Sequence, residues 1–145
     1  MSLPVFHIRQ TLTHVTILVD VPEIQEESIQ VKNDRNHIDL TFVDANEHCY
    51  SLPLDFDREI EPSGIKTNVC QANLILLIQK LHPGEWTAVC GEQYGKKYFL
   101  TESRIRELIT CGELECPWSM SNLQISSVEV DRSNPDEALE FEVRF

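Results

Sequence analysis

Cysteine, histidine and carboxylate side chains are the groups in this chain that could do chemistry, and metal binding is the first chemistry to consider. Cys111 and Cys116 are separated by four residues, and the histidine nearest to them in the sequence is His82. A zinc site usually combines two close pairs of ligands, whereas this sequence supplies one loose pair. We therefore expect no bound metal and interpret these cysteines as packing residues.

Pairs of carboxylates two residues apart are the next candidates, because such pairs can divide acid and base roles between them. Asp55 and Asp57 form one pair, and Glu59 and Glu61 form another. No apolar residues surround them in the sequence that would favour the protonated form of either carboxyl group, so we interpret them as part of a solvated acidic loop. The five histidines are scattered over strand ends and polar positions and are interpreted as surface residues: His7, His14, His37, His48 and His82.

Covalent catalysis and phosphate chemistry lack their usual motifs. The chain has no glycine-rich phosphate loop, no Gly-x-Ser-x-Gly and no His-Glu-x-x-His. Its five cysteines are an odd number at irregular spacing, which favours reduced thiols over a disulfide framework. Cys49, Cys70 and Cys90 lie in apolar segments, where a free cysteine behaves as a small hydrophobic residue. We expect no enzymatic activity and no cofactor; an enzyme that uses Cys90 or Cys111 is the least favoured alternative.

An excess of acidic residues limits the choice of partners. Asp and Glu number 24 against 12 Lys and Arg, which gives a net charge of -12. A field of that sign repels phosphate backbones and anionic lipids, so we expect neither nucleic acid nor a membrane as a partner. The N-terminus MSLPVFHIRQ lacks the features of a signal peptide, and no apolar run reaches the length of a membrane helix. We predict a cytoplasmic protein.

Alternation of apolar and polar residues dominates the chain from residue 5 to residue 90, and this period of two is typical of strands with one buried face. In HVTILVDV, Val15, Ile17 and Val19 share one face, and Leu18 lies on the other. About seven such strands follow one another at spacings of roughly 8–12 residues, with turn residues between them. The pattern predicts an all-β fold, an antiparallel, immunoglobulin-like β-sandwich.

Two strands of this series carry features of their own. Pro53 has no amide donor, so the strand CYSLPL should lie at an edge or contain a bulge there. The strand NLILLIQK is apolar from Leu74 to Ile78, as expected in the middle of a core. A Pro-Gly turn and Trp86 follow it, and the indole should seal the core, since its burial contributes on the order of a few kcal/mol.

The pattern changes after residue 90. TAVCGEQYGKKYFL could form a strand pair, and TESRIRELITCG predicts a short helix over about residues 102–111. Thr101 is placed to cap that helix and Gly112 to end it.

Acidic residues are concentrated at the end of the chain. Residues 111–145 hold 8 of the 24 acidic residues but only 2 of the 12 basic ones. Apolar and polar residues alternate again in parts of this segment. We therefore divide the chain into a β-sandwich domain, residues 4–90, and a C-terminal extension, residues 91–145, which contains the short helix and then an acidic β segment.

The order of several short motifs resembles the CS domain, the β-sandwich of co-chaperones that attend the ninety-kilodalton heat-shock chaperone. A first strand ends in Gln10, VTILVDVP follows, and a Tyr-x-Leu-x-Leu strand begins at Tyr50. IEPSGIKTNV comes next, and a later strand closes in Lys80 before Trp86. The likeness covers roughly residues 4–90 and implies a CS-type sandwich that binds other proteins.

A second likeness lies in FHIRQTLTHVTILVDVPEIQEESI and in the later YFLTESRIREL. These stretches look like the CS-type region of the PIH proteins, especially the kintoun-type factor that helps assemble axonemal dyneins in the cytoplasm. The resemblance implies delivery of clients, such as dynein chains, to heat-shock protein 90 together with adaptor complexes. Many CS relatives carry a tryptophan before the glutamine of the first strand, where this chain has Phe6 and Ile8. That departure weakens the transfer of the chaperone-contacting surface.

Residue by residue, the resemblance implies a partner-binding sheet that includes Tyr50 and Lys80, and a structural role for Trp86. The sequence itself adds an argument for Lys80, which follows a five-residue apolar run by two positions. Its ammonium should emerge at the end of the strand, available to an acidic residue of a partner. For Tyr50, the alternative is a structural role at the edge of the sandwich.

The leading functional hypothesis is a non-enzymatic protein–protein interaction domain that acts as a co-chaperone or adaptor of heat-shock protein 90. A sandwich without catalytic motifs generally works by presenting a face or an edge to another protein. The alternative is a client-holding chaperone like the small heat-shock proteins, which share a related sandwich. That alternative predicts large oligomers and suppression of aggregation.

Overall fold

Two antiparallel sheets pack face to face in the computed structural model, which describes residues 1–114 and two short strands further on. The strands are β1 (Phe6–Gln10), β2 (His14–Val19), β3 (Gln30–Asn33), β4 (His37–Val43), β5 (Cys49–Phe56), β6 (Ile60–Val69), β7 (Leu74–Lys80), β8 (Ala88–Gly91), β9 (Gly95–Tyr98), β10 (Gln124–Ile125) and β11 (Val143–Arg144). Strands β1, β2, β7 and β6 form one sheet in that order, and β3, β4, β5, β8 and β9 form the other. The later strands, β10 and β11, pair with each other. The predicted antiparallel β-sandwich is confirmed.

The alternation read from the sequence decides which side chains meet between the sheets. Val15, Ile17 and Val19 of β2 lie in the core that the two sheets share. Leu18 faces the opposite way and belongs to a separate apolar cluster. Successive residues of a strand point to opposite faces, so this division follows directly from the predicted phase.

Strand β7 is apolar from Leu74 to Ile78 because both of its faces are buried there. Leu74, Leu76 and Ile78 contribute to the core between the sheets. Ile75 and Leu77 contribute to the cluster on the outer face of the same sheet. A strand in the middle of a sheet that is covered on both sides has no polar phase to display.

One short helix, α1 (Glu102–Thr110), covers that outer face. The Thr101 hydroxyl accepts a hydrogen bond from the Arg104 amide at 3.1 Å, which is the predicted N-cap. Gly112 follows the helix with φ of 81°, a left-handed conformation that glycine adopts without strain. Ile105 and Leu108 are its buried residues. The sequence therefore predicted the helix and both of its ends.

The predicted boundary of the sandwich at residue 90 falls inside a hairpin. Strands β8 and β9 pair with each other from Ala88 opposite Tyr98 to Gly91 opposite Gly95. Strand β8 also joins β5, so β9 is the outermost strand of the five-stranded sheet. The sandwich consequently runs to Tyr98. Of the predicted acidic β segment, only the pair formed by β10 and β11 lies within the described residues.

Pro53 lies where one edge of β5 has no strand beside it in the described part of the chain. All residues of β4 pair with residues of β5. Strand β8 reaches β5 only at Asp55 and Phe56, and an isolated bridge joins Ser2 to Tyr50. The missing amide of Pro53 therefore falls at the edge position that the sequence predicted.

Candidate functional site

Lys80 is buried, so the expectation that it emerges at the end of its strand is wrong. The residue is only 3% exposed. Its Nζ donates hydrogen bonds to Gln10 Oε1 at 2.8 Å, to the Thr11 carbonyl at 2.5 Å and to the Gly84 carbonyl. The chain turns back after β7, and this turn brings a carbonyl over the end of the strand. Binding of a partner by Lys80 stays a prediction, but it has lost the exposure on which it rested.

Gln10 and Trp86 complete the same network. The Gln10 side chain donates to the Trp86 carbonyl and accepts from the Trp86 amide, both at 2.8 Å. The Trp86 ring centroid lies 5.4 Å from the Lys80 ammonium, within the range of a cation–π contact. Trp86 is buried, and its ring centroid lies 5.0 Å from that of Phe56. This location agrees with its predicted structural role. The motif residues Gln10, Lys80 and Trp86 thus hold each other in place.

Tyr50 remains partly accessible on β5. Its ring stacks on Phe42 with centroids 5.1 Å apart, and its hydroxyl donates to Asp44 at 3.3 Å. Burial and the neighbouring Asp44 carboxylate together raise the pKa of Tyr50, so it keeps its proton at neutral pH. The structure therefore gives Tyr50 a packing role at the sandwich edge, and its accessible part leaves the predicted partner contact open.

The candidate chemical groups are distributed over the surface. Cys49 and Cys90 are exposed, so their interpretation as small hydrophobic core residues is wrong, whereas Cys70 is buried. Cys49 and Cys90 lie on the polar phase of strands whose apolar phase faces the core. Cys111, at the end of α1, is exposed too, so its interpretation as a packing residue is wrong. The Asp55 carboxylate lies 2.6 Å from His37 Nδ1, in an exposed cross-strand pair. Within the described residues, no group of three or more potential metal ligands comes together.

The sandwich has two long sides where the edges of its sheets meet, and the side between β1 and β9 is closed. Lys97 of β9 reaches across and donates to the Phe6 carbonyl of β1, with its ammonium 3.8 Å from the Phe6 ring centroid. Burial lowers the pKa of Lys97. The amide of Leu100 then donates to the Ile8 carbonyl at 2.7 Å. Both contacts occupy backbone acceptors of β1 that would otherwise be free to pair with another chain.

Among residues 1–114, nothing covers the opposite side, between the edge strands β3 and β6, and we call it the β3/β6 seam. Val31 and Asn33 of β3, with Ile29 just before that strand, line one wall, and Pro62, Ile65 and Thr67 of β6 line the other. Val31 pairs with Leu40, and Ile65 pairs with Ile78, so both side chains lie on the inner phase of their strands. Val31 and Ile65 are nevertheless only half-buried, because in the described part of the chain β3 and β6 each have a neighbouring strand on one side alone. Ile29, just before β3, is half-buried as well.

A polar contact joins the two strands at one end of the β3/β6 seam. The Asn33 side chain donates to the Pro62 carbonyl at 3.3 Å, which joins the two sheets there. The pairing of β6 with β7 is irregular between Ile60 and Ile65, and it becomes regular from Ile65 to Val69. Bulges and prolines protect an edge against uncontrolled pairing, so the regular, unprotected part of this edge is short.

Charges flank the β3/β6 seam without entering it. Lys32 pairs with Asp39, and Lys66 pairs with Leu77, so both lysines lie on the outer phase of their strands. The seam itself therefore presents aliphatic side chains beside unpaired strand edges. This combination suits an extended polypeptide that offers apolar side chains at alternate positions.

Sequence reasoning missed the β3/β6 seam. The alternating apolar residues of both strands were visible in the sequence, and they predicted burial. Which strands lie at the edges depends on the pairing order of the sheets, and no local signal in the sequence specified that order.

The described residues contain no helix long and apolar enough to span a membrane.

Comparison with known proteins finds one kind of likeness, at the level of the fold. No protein-family model matches the chain, and no curated protein matches it. Among solved structures, it is similar to heat shock protein 16.0 from Schizosaccharomyces pombe, with a TM-score of 0.51 and 17% sequence identity. The match covers 59% of this chain and 93% of that one. At this identity the likeness concerns the β-sandwich alone.

Proposed function

We propose that this chain is a non-enzymatic, chaperone-type protein-binding module whose β3/β6 seam receives extended segments of other polypeptides. The observation that carries the proposal is that β3 and β6 are the edge strands of the two sheets in the described part of the chain, with half-buried Ile29, Val31 and Ile65 between them. Backbone groups of an edge strand supply affinity for a peptide, and pockets for alternate side chains supply selectivity. The fold likeness to a heat shock protein is compatible with this role.

A substitution in the β3/β6 seam tests the proposal. Val31→Lys places a charge among the apolar side chains of the seam, while the long lysine side chain can still reach solvent. We expect this variant to suppress the aggregation of a reduced, unfolding model protein less well than the unchanged chain does, as measured by light scattering.

Val5→Lys is the matched control, because Val5 is 61% exposed and lies outside the β3/β6 seam. It should suppress aggregation as well as the unchanged chain. Equal activity of the Val31→Lys and Val5→Lys variants, with both still folded, would overturn the assignment of the seam. A complete lack of suppression by the unchanged chain would overturn the client-holding role itself.

A second candidate is an adaptor of heat-shock protein 90 in the cytoplasm, with a part in the pre-assembly of axonemal dyneins. The support for it is the resemblance to CS and PIH sequences at Gln10, Tyr50, Lys80 and Trp86. Three of these residues maintain the fold, so the motif argues for a shared sandwich more strongly than for a shared binding surface.

Amide chemical shifts recorded while the isolated ninety-kilodalton chaperone is added would test this candidate. Direct binding predicts perturbations near Tyr50 and their loss in a Tyr50→Ala variant. Unchanged spectra, both with and without nucleotide, would contradict direct binding.

A further inference from the structure

The β6 edge of the β3/β6 seam carries backbone groups that no strand in the described part of the chain pairs with. The Cys70 amide donates to the Asn73 carbonyl at 2.8 Å, so these two residues form a hydrogen-bonded pair where β6 turns into β7. Hydrogen-bonded and non-hydrogen-bonded pairs alternate along an antiparallel ladder, and the register is regular back to Ile65. The N–H and C=O groups of Ile65, Thr67 and Val69 therefore point away from β7, towards the seam.

The facing edge of β3 offers fewer such groups. The Asp34 amide donates to the His37 carbonyl at 2.8 Å, and by the same alternation Val31 and Asn33 are the β3 residues whose backbone groups point away from β4. The Asn33 side chain is also bonded to the Pro62 carbonyl, which closes that end of the edge. A strand that enters the β3/β6 seam consequently finds more hydrogen-bond partners on β6 than on β3.

Lys66 lies between two of these β6 residues, and its side chain belongs to the outer phase of the strand. It is exposed, it pairs across the ladder with Leu77, and it takes part in none of the ion pairs among the described residues. Lys32, which flanks the seam on β3, instead pairs with Asp39. Of the two flanking lysines, Lys66 is therefore the one with no acidic residue opposite it.

The position of Lys66 determines which side chain of an added strand it meets. In an antiparallel strand beside β6, the residues opposite Ile65 and Thr67 point into the seam, and the residue between them lies opposite Lys66 on the outer phase. The backbone groups of Lys66 point to β7, so its pair with the added strand is a non-hydrogen-bonded one, in which side chains approach most closely. A carboxylate opposite Lys66 is thus stabilised, and a second cation is repelled.

We propose that Lys66 determines the specificity of the β3/β6 seam and selects extended segments that carry a carboxylate between two aliphatic residues. The inference rests on the proposed function of the seam and adds the charge of the segment that the seam receives. The net charge of -12 acts in the opposite direction, because it repels acidic segments from the molecule as a whole. A preference for a carboxylate must therefore arise locally, at Lys66.

Three synthetic peptides, STVEVTS, STVQVTS and STVKVTS, test the proposal with the full chain, because they differ only in the residue expected opposite Lys66. Binding is followed through the methyl signals of Val31 and Ile65, which line the seam. We expect the glutamate peptide to bind about two- to fivefold more tightly than the glutamine peptide, which is the effect of one cross-strand pair of opposite charges. The lysine peptide should bind most weakly, and the differences should shrink at high salt.

Lys66→Glu should reverse this order, so that the lysine peptide binds the variant more tightly than the glutamate peptide does. Lys32→Glu is the matched control, because it makes the same change of charge on the other flank of the seam. It should keep the preference for the glutamate peptide. If the Lys66→Glu chain does not fold, Lys66→Gln serves in its place and should remove the preference.

Two kinds of failure can be told apart. Equal binding of the three peptides by the unchanged chain, or tightest binding of the lysine peptide, would overturn the role of Lys66 while the seam remained a binding site. A reversal caused by Lys32→Glu instead of Lys66→Glu would show that the added strand pairs with β3, which also contradicts the proposal. Unchanged signals of Val31 and Ile65 with all three peptides would overturn the proposed function of the seam together with this inference.

Discussion

The hydrogen-bond partners of Lys80 show that this lysine, which was expected to contact a partner protein, is part of the internal structure of the sandwich. A lysine after an apolar run was expected to reach solvent, but its ammonium instead donates to Gln10, Thr11 and Gly84. These acceptors belong to the end of β1 and to the turn after β7. Lys80 therefore ties two distant segments together at one end of the sandwich.

Replacement of this lysine should cost stability. Lys80→Met keeps most of the side-chain volume but leaves the acceptors without their charged donor, which costs about 1–3 kcal/mol of unfolding free energy. Urea denaturation measures the loss, and Lys32→Met, at an exposed position of β3, should change the stability little. Unchanged stability of Lys80→Met together with lost partner binding would instead restore Lys80 as a contact residue.

His7 makes the stability of the folded chain depend on pH. Burial, then the charge of Lys97 and, more weakly, that of Arg104 lower the pKa of His7 below its usual 6.5, against opposing effects of Asp20 and Glu113. The unfolded chain therefore binds a proton at a higher pH than the folded one. Stability from the neutral imidazole is complete above about pH 6.5, and it declines as the pH falls from there towards the folded-state pKa.

Thermal unfolding between pH 7.5 and pH 5 checks this expectation against a His7→Gln variant. The unchanged chain should lose more stability over this range than the variant does. Parallel pH profiles of the two proteins would contradict the lowered pKa.

At the scale of elements, α1 shows how a marginal helix is specified. Its sequence provides the cap, the stop and two aliphatic residues at helical spacing, but too few residues for independent stability. The outer phase of β2 and β7 supplies the rest, through Leu18, Ile75 and Leu77. The same contacts explain why β7 is apolar at every position from Leu74 to Ile78.

Loss of the N-cap should loosen α1 alone. Thr101→Ala removes the acceptor of the Arg104 amide, a change that typically costs about 1 kcal/mol. We expect faster hydrogen exchange within α1 and unchanged exchange within β7. Ser103→Ala, at an exposed position two residues later, should leave the hydrogen exchange of both elements nearly unaltered. Equal effects of the two substitutions would argue against the cap.

At the scale of the whole molecule, the sandwich and its extension are not separable at residue 90. Strand β9 belongs to the five-stranded sheet, and the segment after it closes the β1 edge and continues into α1. One long side of the sandwich is consequently closed, whereas no residue of the described part of the chain covers the β3/β6 seam. This asymmetry favours one side for binding other polypeptides.

Two shortened chains test this organisation. A chain that ends at residue 90 lacks β9 and exposes Leu18, Ile75 and Leu77, whereas a chain that ends at residue 114 keeps both covers. We expect the shorter chain to be less stable by on the order of 5–9 kcal/mol, since each of the three side chains that it uncovers contributes about 1.5–3 kcal/mol when buried. Equal unfolding free energies, measured with urea, would support residue 90 as a true boundary.

The sequence by itself determined the local structure of this protein. The period of two specified the strands and their buried phases, and Thr101 and Gly112 specified the ends of α1, because these signals act between residues close along the chain. The same patterns placed Trp86 in the core.

Only the tertiary structure decided the pairing order of the strands, and with it the positions of the edges and the β3/β6 seam. The tertiary structure also decided that Lys80 is buried, since its acceptors at Gln10 and Thr11 lie about seventy residues earlier in the chain. Contacts between residues so far apart leave no periodic trace in the sequence. They depend on which strands become neighbours and on where the turns carry their carbonyl groups.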